Sequence, residues 1–371
     1  MIKLHEIVRI IWDGGQRGGA AISLLSFSLL ILSIPYRFAV SVRNLLYKNS
    51  ILRLKKLPCP VISIGNLTAG GTGKTPLAIL LAGILKDNGF RPAVLTRGYG
   101  RQNCKSIGAV SDGRRILMTH QEAGDEPFLM SLLLPQVPVI VGASRFLTGM
   151  LAIAELGADV LILDDGFQHR ALYRDIDIVL LESDHPLGNG RLLPGGPLRE
   201  PPGSLQRADI VLMTGSSSAA DPRFPAALQP LLKDSAHTFQ SFHKARAIID
   251  AKRDLRPLAF LQGKRIYAFA GIGNPLSFRR TIETLGTNLT GFEAFPDHHR
   301  YDALEIAAIT EHAQQSHADL ILTTEKDGAR LLDFPEFLAN IFLLRIEMAF
   351  IPDGDSFLRL ILEKLKKVHS D

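Results

Sequence analysis

Lys74 and Thr75 close a run of small residues whose types and order suit the binding of phosphate. The run is "GNLTAGGTGKTP", Gly65 to Pro76, set between the apolar stretches "CPVISI" and "LAILLAGIL". A strand that turns through glycines into a helix aims backbone N–H groups at one anion, while a lysine adds charge and a hydroxyl serves Mg²⁺. The candidate cradle for a nucleotide's phosphates is therefore Thr68, Ala69, Gly70, Gly71, Thr72, Gly73, Lys74 and Thr75. The usual pattern is glycine, four residues, then Gly-Lys-Ser/Thr, and here the first position is Thr68. The loop keeps its function if its first turn does not need a positive φ at that residue.

Other polar residues gather just after apolar runs. "LILDDGFQHR" puts Asp164 and Asp165 at the end of one, where carboxylates would order Mg²⁺ directly or through water. The alternative is an Asp-Asp-Gly turn that caps a following helix. "TRGYGR" places Arg97 and Arg101 about Tyr99, either to grip phosphate in two-pronged fashion or to solvate a glycine-rich loop. "GDEP" offers Asp125 and Glu126 in a tight turn, a candidate for a base. "NGRLLPGGPLREP" is too rich in proline and glycine for a regular element, and its Arg191, Arg199 and Glu200 either line a site or belong to a structural loop. "FPDHHRYD" sets His298 beside Asp297, a pairing that tunes proton transfer. Adjacent histidines diverge on any regular element, so a two-histidine metal site is not expected there.

These residues need elements to hold them. Short apolar runs alternate with helical patterns from "PVISIG" to "ADIVLMTG", and "RIYAFAGIG" and "ADLILTTEKD" resume the pattern later, ahead of a closing amphipathic helix, "SFLRLILEKLKKV". This is the signature of an α/β fold, a parallel sheet flanked by helices as in phosphate-loop NTPases, with ligands bound at the carboxyl ends of the strands. A second, smaller α/β domain is expected near the C-terminus. The expected division is 1–50 for an N-terminal helical segment, 51–250 for the phosphate-loop domain and 251–371 for the smaller domain.

The 371 residues carry a formal charge of +5, with 46% hydrophobic and 21% charged residues, as in an ordinary folded protein with a mild preference for anions. Nucleic acid is not expected as a partner, because no basic run interleaves with aromatics and no zinc-finger spacing occurs. Two cysteines without a CxxC, Cys59 and Cys104, indicate a reducing compartment. From Gly18 to Tyr36 no charged residue occurs, and basic residues flank the stretch on both sides. As a helix it would just reach across a hydrocarbon core of about 30 Å. Serines, Pro35 and the even flanking charge favour a helix lying in the headgroup layer over a true span, with a buried helix of a soluble protein as the alternative.

Together these stretches resemble the tetraacyldisaccharide 4′-kinase family, the lipid A 4′-kinases of bacteria with an outer membrane. The resemblance runs from the N-terminal segment through "GNLTAGGTGKTP", "TRGYGR", "GDEP", "LDDGFQHR", "NGRLLPGGPLREP", "FPDHHRYD" and "TTEKD", and it accounts for Thr68. Ala69 and Gly195 stand where valine and alanine are expected. The resemblance implies transfer of the γ-phosphate of ATP, with Mg²⁺, to the 4′-hydroxyl of an acylated glucosamine disaccharide 1-phosphate. It places the enzyme on the cytoplasmic face of the inner membrane, held at the membrane surface by the N-terminal helix. It also implies roles. Asp125 would take the sugar proton with support from His298, and Lys74 would neutralise the phosphoryl group. Thr75, Asp164, Asp165 and Glu200 would serve Mg²⁺, and Arg97, Arg101 and Arg199 would hold phosphates. A membrane-associated GTPase or ATPase switch would instead carry Asn-Lys-x-Asp and DxxG motifs, and neither is present.

Overall fold

The computed structural model describes residues 11–12, 20–99, 101, 106–215, 224–297, 299–351 and 354–370. Cys104, His298 and the first residues of the expected apolar segment lie outside them. The chain forms two compact units, one of residues 1–97, 144–242 and 349–371, the other of residues 98–143 and 243–348.

In the first unit, α1 (Ala20–Lys48) precedes β1 (Val61–Asn66), and the glycine loop leads from β1 into α2 (Lys74–Asp87). β2 (Pro92–Thr96) follows in the same unit, and β3 (Gly108–Ser111), α3 (His120–Ala123), α4 (Asp125–Leu133) and β4 (Val139–Val141) belong to the second. The chain returns to the first unit with α5 (Arg145–Ala154), β5 (Val160–Asp164), β6 (Ile176–Glu182), β7 (Ile210–Thr214) and the start of β8 (His237–Ile249). β1 lies between β5 and β6, and all three run parallel, with β2 beyond β5 and β7 then β8 beyond β6. β1, β2, β5 and β7 are buried along their whole length, which explains why they read as continuous apolar runs. Because the strands are parallel, the loop after Asn66 and the Asp164–Asp165 pair leave the sheet at the same edge.

The second unit continues with β9 (Leu255–Arg256), β10 (Arg265–Ala270), α6 (Pro275–Glu283), β11 (Asn288–Ala294), α7 (Ala303–Gln315), β12 (Leu320–Thr324), α8 (Glu325–Arg330), α9 (Pro335–Leu338) and most of β13 (Ile341–Ile351). β10 pairs in parallel with β11 and β12, and β12 with β13. β3 and β4 form an antiparallel pair. The last helix, α10 (Gly354–Ser370), belongs to the first unit.

Besides a boundary at 243 in place of 251, this division differs from the expected 51–250 and 251–371 in two places. Residues 98–143 fall in the second unit because side chains at the start of α4 form ion pairs with α8. The closing helix falls in the first because Phe357 packs on Phe239 and Phe350, with ring centroids 5.3 and 4.6 Å apart, and Lys364 reaches Asp209 at 3.8 Å. Periodicity along a sequence marks elements in chain order and does not show such distant partners.

Candidate active site

The loop after β1 has the backbone a phosphate cradle needs. Gly70 takes φ 139° and Gly73 φ 86°, conformations that glycine adopts without strain. Thr68 is not among the positive-φ residues; instead it forms an antiparallel bridge with Leu198. The Arg199 N–H donates to Leu67 O and the Ala69 N–H to Pro197 O, each at 2.7 Å. The stretch "GGPLRE" thus acts as a short strand alongside the start of the loop, and a threonine suits the extended backbone better than a glycine. Gly73 brings no side chain to the N-terminus of α2, and the first turn holds no acidic residue, so its N–H groups and positive dipole end stay available to an anion. Lys74 Nζ lies 3.4 Å from Gly70 O and 3.6 Å from Asp165 Oδ1.

The two aspartates differ. Asp164 ends β5, is buried, and accepts a 3.3 Å bond from Thr96 Oγ1, while its carbonyl accepts one of 3.4 Å from Arg145 Nη2. Asp165 has φ 54°, unusual for a residue with a side chain and a mark of local strain at a functional turn. Arg199 Nη1 lies 2.9 Å from both of its carboxylate oxygens. Burial pushes the Asp165 carboxyl up, but Lys74 and Arg199, with Arg145 behind them, hold it below the usual carboxylate range. No helix follows the Asp-Asp-Gly turn; the chain passes through further turns to β6, so the helix-cap alternative does not apply. Close approach fixes the turn, since a Cβ on Gly166 would sit 2.7 Å from Ser63 Oγ and one on Gly65 2.5 Å from Phe167 Cβ.

Glu200 has other partners. It is fully buried, and its oxygens accept from Arg207 at 3.0 and 3.2 Å, Asn44 at 3.0 Å and Ser204 at 3.1 Å, with Arg43 at 3.3 Å. Burial would raise its pKa, but Arg207 and Arg43 bring it below the ordinary value. The structure therefore joins Glu200 to α1, in contrast to the expected place beside Thr75, Asp164 and Asp165. The same face of α1 reaches the loop elsewhere. The Tyr36 hydroxyl donates to Arg199 O at 2.9 Å, Ser33 Oγ to Leu192 O at 3.0 Å, and the Gly195 N–H to Ser33 Oγ at 2.9 Å. A Cβ at position 195 would lie 2.7 Å from Ser33 Oγ, so the glycine in place of alanine permits this approach. The other face exposes Leu24, Phe27, Ile34, Phe38 and Leu45. Residues 22–48 form a helix long and apolar enough to cross a membrane, with a mean hydropathy of 1.6 over its most apolar window, 11% of which is buried.

The arginines of "TRGYGR" part company. Arg97 is exposed at the end of β2 in the first unit, whereas Arg101 is buried in the second and donates to Ser106 O. Asp125 begins α4 behind Gly124, whose φ of 87° excludes a side chain, as does the Tyr99 carbonyl oxygen, 2.6 Å from where a Cβ would stand. Arg330 Nε donates to Asp125 Oδ2 at 2.9 Å, and Lys326 Nζ to Glu126 Oε1 at 2.7 Å. Lys326 also lies 3.9 Å from Asp297, the residue before His298. On the other side of His298, His299 Nε2 lies 2.8 Å from Glu305 and its ring stacks on Phe295. Asp125 and Asp297 thus belong to one compact unit, although the expected boundaries put them in different domains.

Two buried arginines carry no mark in the sequence, and a buried aspartate lies in "TTEKD" with no role read for it. Arg145 (3% exposed) backs the aspartate pair, while Asp327 (0%) and Arg330 (6%) stand behind Asp125. Arg145 and Arg330 have no motif around them, and their signal is burial of a charge, which only the fold reveals.

The donors near the loop suit a hard cation. Among the described residues no three His, Cys, Asp or Glu side chains form a cluster fit for a metal. Mg²⁺ takes one or two carboxylates with phosphates and water rather than a protein cage, and Asp164, Asp165 and Thr75 supply oxygen donors of that kind. Asn66 Oδ1 and Thr72 Oγ1 are buried with no hydrogen-bond partner in the protein, as expected of polar atoms that face a bound ligand or its waters.

A parallel sheet whose central strand enters a glycine loop and a helix, with a lysine and an aspartate pair at the same edge, defines an α/β protein of the phosphate-loop class. The LpxK family model, tetraacyldisaccharide-1-P 4′-kinase, matches residues 25–366. The chain belongs to that family. It is 47% identical to the tetraacyldisaccharide 4′-kinase of Syntrophus aciditrophicus (strain SB) over 98% of this chain and 100% of the relative. It is 41% identical to that of Pelobacter propionicus over 92% of each. The crystal structure of "apo" form LpxK from Aquifex aeolicus in complex with ATP is similar with a TM-score of 0.75 and 35% identity, covering 92% of this chain and 99% of that one.

Proposed function

We propose that the protein is an ATP-dependent tetraacyldisaccharide 4′-kinase of lipid A biosynthesis, moving the γ-phosphate of ATP to the 4′-hydroxyl of a tetraacyldisaccharide 1-phosphate. The observation that carries the mechanism is the group Lys74–Asp165–Arg199 at the mouth of the loop, two cations on one ionised carboxylate.

Phosphoryl transfer through a loose transition state asks the protein for position and charge. The N–H groups from Gly70 to Thr75 hold the phosphates, and Lys74 neutralises charge as the γ-phosphoryl group leaves. Arg199 is fixed at its backbone by Leu67 and Tyr36, which sets the guanidinium toward the same oxygens. Thr75, Asp164 and Asp165 are the residues that would hold Mg²⁺. When bound there, Mg²⁺ would supply positive charge to offset that of the phosphates. The ion pairs of Glu200 with Arg207 and Arg43 support a role in seating α1, with any effect on Mg²⁺ passing through Arg199 next in the chain. Asp125 accepts the proton of the sugar hydroxyl, with His298 as its partner. Arg97 and Arg101 serve anionic groups of the nucleotide or the lipid.

The exposed apolar face of α1 supports attachment at the cytoplasmic face of the inner membrane, where its residues meet acyl chains and the basic residues from Arg37 to Lys56 meet phosphate headgroups. The test is ATP-dependent phosphorylation of purified tetraacyldisaccharide 1-phosphate by the full-length protein, read as the gain of one phosphate by mass. No product with ATP and Mg²⁺ present, or product formed equally without the lipid's free 4′-hydroxyl, overturns the reading.

A further inference from the structure

We propose that Arg330 is a positioning residue for Asp125: a buried guanidinium, fixed from behind, that sets where the carboxylate stands when it meets the sugar hydroxyl. The proposal rests on the reading of Asp125 as the proton acceptor.

The support behind Arg330 is rigid. Its side chain is 2% exposed, and Nη1 donates to Gly271 O at 2.6 Å and to Asp327 Oδ1 at 3.1 Å. Asp327 is held in turn. Its carboxylate accepts from the Gly271 N–H at 3.2 Å, the Tyr301 hydroxyl at 3.0 Å and Thr324 Oγ1 at 2.7 Å. These groups come from the ends of β10 and β12, the first turn of α8 and the loop before α7. With Nη1 so engaged, Nε presents one N–H in a set direction, and Asp125 Oδ2 accepts it at 2.9 Å.

Asp125 needs such support. It is the first residue of a nine-residue helix, behind a glycine at φ 87°, where the backbone alone leaves the side chain several rotamers. A planar guanidinium held at Nη1 fixes the direction of its Nε–H, which the point charge of a lysine does not. A displacement of about 1 Å at a reacting group costs roughly 100-fold in rate. Arg330 touches no reacting atom in this scheme and acts through Asp125 alone.

The experiment compares kcat and KM of the full-length protein in mixed micelles with purified tetraacyldisaccharide 1-phosphate and ATP. The variants are Asp125→Asn, Arg330→Lys and the two combined. Arg330→Lys keeps the charge opposite Asp327 and loses the fixed Nε–H. The expected result is a fall in kcat of roughly 100-fold, with KM for ATP and lipid within about twofold, an unchanged Tm and no added loss in the Asp125→Asn background. The second variant, Arg330→Gln with Asp327→Asn, removes the buried pair together, so that neither of the two leaves the other's charge buried alone; it is expected to lose kcat to the same extent. Full kcat in either folded Arg330 variant overturns the positioning role, as do losses that add to those of Asp125→Asn. If Asp125→Asn itself keeps its kcat, the proton-acceptor reading falls and the proposal with it; if Asp125→Asn is impaired and the Arg330 variants are not, only the positioning role falls.

Discussion

Asp165 and Asp125 each stand 2.9 Å from an arginine, yet the two pairs are assembled by different means. Asp165 meets Arg199, 34 residues away, because "GGPLRE" pairs backbone to backbone with the start of the glycine loop. Asp125 meets Arg330, 205 residues away, through side chains braced by other buried side chains. The first centre is a product of strand ends and glycine φ angles, and the second a product of packing. The first should therefore survive loss of a side chain with its shape intact, while the second should respond as a network.

The largest effect is expected at the backbone-built centre. With Lys74 read as the charge on the transferring group, Lys74→Ala removes that charge and, within the loop, the 3.4 Å bond to Gly70 O, while the backbone hydrogen bonds stay in place. Loss of one such stabilising donor costs about 10²–10³ in kcat, and the melting temperature should stay near that of the parent. Near-normal turnover in the folded variant would remove Lys74 from the phosphates and break the contrast.

Next comes the packed centre. Asp125→Asn should lower kcat about 10²–10⁴-fold, the range for general base catalysis, while ATP affinity holds. Because Asp125 and Arg330 act as a unit, their losses should not add. Loss of ATP binding in this variant would mean that the carboxylate serves the nucleotide instead.

The contrast also decides what can be read before the fold is known. Gly70, Gly73, Lys74, Asp164 and Asp165 lie within short stretches where spacing alone carries the chemistry, and the parallel strands that bring them to one edge appear as buried apolar runs. Thr68 can be tolerated in advance, but only its bridge to Leu198 explains why. Glu200 shows the limit: it follows Arg199 in sequence, yet its carboxylate goes to Arg207, Arg43 and Asn44. Neighbours in a chain share a backbone path without sharing a direction, and no spacing rule shows which way a loop carboxylate turns. Arg330 is invisible, and the role of Asp327 within "TTEKD" unreadable, for a related reason, since their importance comes from burial beside a helix distant in sequence.

A smaller effect tests how far the backbone-built centre depends on α1. Tyr36→Phe removes one hydrogen bond to the Arg199 carbonyl, worth about 1 kcal/mol. A fall in kcat of about fivefold, with membrane binding unchanged, would show that α1 also positions Arg199. If only membrane binding changes, α1 is an anchor alone.

The smallest expected effect concerns acid. His169, in the turn after the aspartate pair, is held down to about 4 from 6.5, first by burial and then by Arg145, Arg174 and Arg97. Its folded pKa is depressed, so the protein holds it neutral and the unfolded chain binds the proton more readily. The stability it contributes is complete above pH 6.5 and declines as the pH falls from there toward 4. A His169→Asn variant cannot take up that proton, so its Tm should fall less between pH 7 and pH 5 than the parent's. Equal falls in both proteins would show that His169 titrates alike in the folded and unfolded states. The acid sensitivity would then lie elsewhere, and three arginines around one imidazole would not by themselves make the backbone-built centre respond to pH.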